Sequence, residues 1–284
     1  MKIYIYLSIY LSIYLSISLN GQVINSQVIE EKTGIKRNAL YNLEEIKMRW
    51  KKTALENCTG VPCVTAPSFT CGTSTVPDMD GNFYNTVLIG LQCWTKENLK
   101  VTMYNDGTAI PDETNNTAGW GGLTIGARSD YTGATSYIAT YGYLYNWYAA
   151  KGISTIGSTN YKNICPTGWH VPIDMEYITL TTYIGGLSVA GGKMKSTGLT
   201  LWNSPNTLAD NSSGFTGLPG GVRDYNIGSF SSIKDDAWFW SATEDGSSSI
   251  NAWNIGMFFD KVYVDWQPDN KTYGQSVRCL KDLP

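Results

Sequence analysis

Apolar residues first fall into step at Leu43, Ile46, Trp50 and Ala54. A spacing of three and four predicts one apolar helical face. Asn42 with Glu45 three residues on has the form of a capping box, and Lys51 and Lys52 suit a helix C-terminus. Two heptads are too few for a coiled coil, so this is a stalk or a helix docked on a domain. From Met79 the texture changes. Asp80-Gly81-Asn82 is a turn signal followed by alternating apolar residues, which predicts a β-hairpin. "TYGYLYNWYAAKG" predicts a short helix ended by Gly152, and "IDMEYITLTTYIGG" a second ended by Gly185-Gly186. Short strands among Gly, Ser and Asn loops follow, so the expected class is α+β, two helices on a small irregular antiparallel sheet.

"NAWNIGMFFDKVYVDWQ" predicts a hairpin turning near Asp260. Strand alternation puts Trp253, Ile255 and Met257 on one face and Asn254 on the other. In the second strand, Val262, Val264 and Trp266 oppose Tyr263, Asp265 and Gln267. The apolar sets are expected inside. Asn254, Tyr263, Asp265 and Gln267 are then a solvent-facing candidate ligand surface, with an ordinary solvated sheet face as the alternative.

The chain opens with one Lys and an apolar run to Leu19. This predicts a secretory signal peptide over 1–21, cleaved near Asn20 to Gln22, with a membrane anchor as the rival. A helical segment over 22–57, a Cys- and Pro-containing linker over 58–77 and a domain over 78–284 complete the expected organisation. Charge marks the same boundary. Residues 1–57 carry eight Lys/Arg against five Asp/Glu, leaving thirteen against nineteen of the totals 21 and 24. The net charge of −3 and the lack of a basic patch exclude a nucleic-acid partner. No membrane span is expected in the mature chain.

Six Cys in a chain read as exported suggest disulfides, though six allow fifteen pairings. "CTGVPC" has spacing for zinc, but structural zinc wants four Cys/His ligands and the lone His170 is far away. Spacing and elimination pair Cys58 with Cys63. Cys71 with Cys93 would tie the start of the domain to its first hairpin.

"DMDGNFYNTVLIGLQCWTKENLK", "YGYLYNWYA", "CPTGWHVP", "WNSPNT", "SGFTGLPGG", "WSATE" and "GQSVRCLKD" occur in the order of the Fibrobacter succinogenes major paralogous domain family. The chain resembles that family over about residues 70 to 282. The resemblance implies an exported bacterial protein of no established activity, of a kind often duplicated in Bacteroidota and Fibrobacterota. It also implies a C-type-lectin-like fold, distantly similar to the formylglycine-generating, sulfatase-modifying enzymes, and a Cys165–Cys279 disulfide. Those enzymes use a cysteine pair near the C-terminal end, where this chain has only Cys279, which argues against their oxidase activity. After "HVP" the family has Ser-Asp-x-Glu-Trp. Here Ile173 replaces Ser and Tyr177 replaces Trp, and Asp174 is expected to cap the helix one residue later.

Candidate chemistry is thin. A hydrolase needs a nucleophile and an oriented base, and His170 is the sole imidazole. It is expected to be a hydrogen-bonded scaffold residue, with Asp174 and Glu176 complementing a helix dipole. Asp78-x-Asp80-Gly81 has the opening of a calcium loop without its later ligands, and a plain turn is expected. Gln267-Pro268-Asp269 is the triplet of galactose-type lectins, without the Trp-Asn-Asp that follows it there. Asp265, Asp269 and Asn270 supply only part of the six to eight oxygens calcium takes. No metal or cofactor is expected. The sequence predicts a non-enzymatic recognition or adhesion domain for a glycan or surface protein. A structural surface protein is the alternative, and an enzyme a distant third.

Overall fold

In the computed structural model the described residues are 69–132, 135–155 and 160–283. The signal peptide, the helical segment and the Cys58–Cys63 pair lie outside them. In chain order the strands are β1 (Thr75–Pro77), β2 (Phe83–Ile89), β3 (Gln92–Thr95), β4 (Arg128–Ser129), β5 (Leu144–Tyr145) and β6 (Trp169–His170). Then come β7 (Gly220–Arg223), β8 (Phe230–Ile233), β9 (Asp236–Glu244), β10 (Asn251–Phe258), β11 (Asp265–Asn270) and β12 (Leu280–Lys281). The helices are α1 (Thr135–Tyr141), α2 (Trp147–Lys151), α3 (Asp174–Tyr183) and α4 (Leu187–Met194).

One sheet runs β1-β2-β3-β12-β6, a second β11-β10-β9-β7-β8, and β4 pairs with β5 alone. The domain is therefore mainly β and sandwich-like, which overturns the α+β expectation. The helix read across residues 140–152 is broken in the middle. Its first part closes α1, Leu144–Tyr145 pair with β4, and only Trp147–Lys151 form α2. Asn146 caps α2 by accepting from the Ala149 N–H at 3.0 Å, and Gly152 ends it in the left-handed region, φ 84°. β1 and Cys71 fall in the stretch read as a linker, yet β1 pairs with β2 and Cys71 bonds Cys93 on β3.

Two apolar clusters fill the domain. One gathers Tyr84, Tyr145, Trp147, Trp169, Trp240 and Val277, the other Trp94, Tyr177, Trp202, Phe215, Phe239 and Met257. Neighbouring residues of one strand serve different clusters, as Phe239 and Trp240 do on β9. Such a strand is apolar on both faces, which explains the unbroken "AWFW" run. Cys165–Cys279 closes a separation of 114 residues within the first cluster, with Cα atoms 5.9 Å apart. In the chain-entropy account such a closure stabilises by about 4–5 kcal/mol.

Much of the chain runs between strands, where carbonyls have no ladder partner. Buried donors supply them. Fully buried Arg278 donates to Thr95 O at 2.9 Å, Phe215 O at 2.8 Å, Thr216 O at 2.7 Å and Asn98 Oδ1 at 2.9 Å. Its guanidinium lies 4.7 Å from the Phe215 ring centroid and 5.3 Å from that of Phe239. Lys195 Nζ donates to Thr207 O at 3.0 Å, and to Phe258 O and Lys261 O at 2.8 Å each. Burial lowers its pKa to about 8. Arg223 stacks over Trp120 at 4.1 Å and donates to Gly228 O and Glu113 O.

Arg278→Met leaves four buried acceptors without donors. Each orphaned acceptor costs about 1–3 kcal/mol, so a net loss of about 3 kcal/mol or more is expected by urea titration. A loss below about 1 kcal/mol would show that these loops do not depend on it.

Candidate functional site

His170 ends β6 beside the start of α3, and the structure uses both of its ring nitrogens. Nδ1 lies 2.6 Å from Asp282 Oδ1, and Nε2 lies 3.0 Å from each Glu176 carboxylate oxygen. Burial alone would lower the imidazole pKa, but the two carboxylates outweigh it and raise it to about 9. His170 is thus an imidazolium clamp joining the chain end to α3. Glu176 also accepts from the Ile173 N–H at 2.9 Å, one half of a capping box. Asp174 does not cap the helix one residue later; helix α3 begins at Asp174 itself. The hydroxyl that Ile173 cannot supply comes from Thr243 of β9. Thr243 Oγ1 accepts from the Asp174 N–H and donates to Asp174 Oδ1, both at 3.0 Å.

The carboxylates that resemble calcium ligands are also occupied. Asp78 accepts from the Asp80 N–H, the Asn82 N–H and side chain, and the Tyr84 hydroxyl at 2.6 Å, which makes it the pivot of a turn. Among the described residues no group of three or more His, Cys, Asp or Glu is placed to hold a metal.

The hairpin of β10 and β11 forms, with Asn254 opposite Gln267 and Gly256 opposite Asp265. Those four residues therefore share a face, as alternation predicts. Asn254 nevertheless departs from expectation, because it is fully buried. β10 lies inside its sheet, between β11 and β9, and its pairing with β9 shifts register between Ala252 and Asn254. Asn254 Nδ2 donates to Asp269 Oδ2 at 2.7 Å, and buried Gln275 Nε2 donates to the same oxygen at 3.0 Å. Gln267 Nε2 reaches Asp269 Oδ1 at 3.4 Å. Burial raises the Asp269 carboxyl pKa in spite of these three amides. The carbonyl oxygens of Asn254 and Gln275 have no donor.

Outward along that face the polar set emerges. Asp265 and Gln267 are half-buried, and Tyr263, in the turn before β11, is 38% exposed against Phe258, with ring centroids 6.2 Å apart. A side chain at Gly256 would strike the Trp238 ring, so this glycine lets an indole lie against the strand beside Asp265. On the other face Ile255, Met257 and Val264 enter the core, while Trp253 stacks on Trp266 half-exposed at 5.8 Å.

A family model for the Fibrobacter succinogenes major domain matches residues 87–281. The chain belongs to this family. No curated protein matches it, and neither does any solved structure, so the likeness to C-type lectins read from motif order gains no support. Within the family domain, "CPTGWHVP" and "GQSVRCLKD" meet in space. Cys165 bonds Cys279, His170 bonds Asp282, and Arg278 spans between the sheets' loops.

Sequence reasoning missed the Asp282 partner of His170, since 112 residues separate them. It weighed Asp269 only within a lectin triplet and as a partial calcium ligand, and Gln275 only within a family motif. Asp269 stands beside Asn270 and Gln275 between Gly274 and Ser276, so neither carries a local signal of burial.

The folded pKa of His170 lies above its unfolded value of 6.5, so the stability it contributes is full below pH 6.5 and is lost as pH rises through about 9. Lys195 acts oppositely, because its lowered pKa adds stability as pH rises from about 8. The difference in unfolding free energy between wild type and His170→Gln isolates the histidine. It should shrink steadily from pH 6.5 to 9 in chemical denaturation, and a difference independent of pH would contradict the clamp.

Proposed function

We propose that this domain is an exported, non-enzymatic recognition module that binds a glycan or a surface protein on the outer face of the β10–β11 hairpin. One observation carries the reading. Tyr263, Asp265 and Gln267 line a half-exposed strip beside an indole, and the strip is backed by a buried Asn254–Asp269–Gln275 network with two unpaired carbonyl oxygens. A tyrosine ring stacks on a sugar face while amide and carboxylate groups meet its hydroxyls. Asp265 and Asp269 together disfavour an acidic ligand.

Export is supported by the predicted leader and by two disulfides, a feature of oxidising compartments. Among the described residues, no helix is long and apolar enough to cross a membrane. The non-enzymatic reading is supported by the clamp on His170, which leaves neither ring nitrogen open to act as a base.

The full chain applied to a glycan array, alongside the Tyr263→Ala/Asp265→Ala variant, tests this directly. Binding should fall about tenfold or more in the double variant, the loss of a good hydrogen bond and a stacking contact, at an unchanged melting temperature. Self-association without any sugar or protein ligand would favour a purely structural surface protein. A turnover that His170→Ala abolishes would make it an enzyme.

A further inference from the structure

Helix α3 turns an apolar ridge to solvent. Its inner side lays Tyr177, Leu180 and Ile184 into the second cluster. On the outer side Met175 is 48% and Tyr183 67% exposed, with Thr179 exposed between them. Steps of four make these three residues one ridge along the helix. The tip of the β2–β3 hairpin extends it. Gly90 passes so close that a side chain there would press on the Tyr183 ring, and its neighbour Leu91 is 93% exposed. Gln92, on the far side of the turn, donates from Nε2 to Glu176 O at 2.9 Å and holds the tip against α3.

The middle of this surface carries no charge. Residues 84–95 and 177–192 contain no Asp, Glu, Lys, Arg or His, in a chain of which 16% is charged. The Thr179 hydroxyl is spent on the backbone, donating to Met175 O at 2.8 Å. A lone exposed leucine is ordinary, whereas a contiguous apolar face depleted of charge marks the centre of a protein interface. Charge returns at the two ends, with opposite signs. Asp174 and Glu176 stand in the first turn of α3, and Asp282 joins them through His170, so three carboxylates meet one imidazolium. At the other end Lys193 Nζ donates to Ile184 O at 2.7 Å.

That pattern selects its partner. A surface acidic at one end, basic at the other and neutral between is complementary to itself turned round. A two-fold axis does this, bringing Lys193 of each copy toward the acidic start of α3 in the other. The ridge matches under the same rotation. With Thr179 at the axis, Met175 of each copy meets Tyr183 of the other, a thioether on an aromatic ring, and the small residue between them lets the helices approach. A charged partner would strand its charge on the neutral middle, and an anionic lipid surface would face the carboxylates. Covering Leu91, Met175, Tyr183 and the neighbouring Ile178, Thr179 and Thr182 on two copies removes roughly 1,200 Å² from water, the lower end for a stable interface.

We propose that α3 and the β2–β3 tip form the contact of a two-fold homodimer, with α3 antiparallel to its copy and Thr179 at the axis. Tyr263, Asp265 and Gln267 lie outside this surface. The dimer is therefore compatible with a ligand on the β10–β11 hairpin, and favours a purely structural protein only if no ligand is found.

Sedimentation equilibrium of the full chain tests this, at about 1 to 300 µM, the range suited to an interface of modest area. Wild type should show a reversible monomer–dimer equilibrium. Thr179→Lys and Thr179→Glu each set like charges against each other across the axis, and each should raise the dissociation constant at least tenfold. Both replacements are better helix formers than threonine at an exposed position, so the melting temperatures should hold. An equimolar mixture of the two variants should recover the dimer, because opposite charges then face each other. The proposal is overturned if wild type stays monomeric throughout, or if either variant dimerises as wild type does. It is equally overturned if the mixture stays monomeric.

Discussion

Backbone carbonyls outside the ladders must find donors or water, and in this domain many find buried side chains. Arg278, Lys195 and Arg223 are all buried, and the bonds they make go almost wholly to backbone carbonyls. Indole N–H groups do the same. Trp147 donates to Ser241 O, Trp240 to Tyr145 O and Trp120 to Thr272 O, across separations of 94, 95 and 152 residues. A buried cation without a carboxylate is costly on its own. Several carbonyl dipoles and a flanking aromatic face offset that cost, and the same bonds bring distant loops together. The aromatic surplus and the loops of this chain are thus two sides of one arrangement.

The consequence for function is a division between groups that are spent and groups that are free. His170, Glu176, Asp282 and Asp78 resemble parts of catalytic or calcium sites, yet each is engaged on several atoms by the fold itself. The groups left over lie at a rim, Tyr263 and Asp265 on the β10–β11 hairpin, with Gln267 between them and Asp269. Lys195 links the two themes, since its carbonyl partners Phe258 and Lys261 flank the turn that presents Tyr263.

Local signals in the sequence reached some of this and stopped at a physical boundary. Turn residues and Gly152 marked the first hairpin and the end of α2, because those conformations depend on nearby residues alone. The family resemblance, not a local signal, implied the Cys165–Cys279 pair that the structure forms, and the lone imidazole pointed to a scaffold role. The fold class escaped because the segment read as one helix over 140–152 holds β5 and only a short α2, and because β4, β6 and β12, two residues each, are too short to show a period. Asn254 escaped because it alternates as an outward residue would, but a neighbouring strand and Asp269 cover it.

If buried donors hold the loops as firmly as ladders hold the strands, native-state hydrogen exchange should show it. The amides of Leu99, Lys195, Ser196, Gly217 and Arg223 lie in or beside the long connections and donate to backbone carbonyls. They are expected to exchange only through global unfolding, at the same free energy as the amides of β9 and β10. Exchange of these amides at low opening free energy, with β9 and β10 still protected, would contradict a core that extends through its loops.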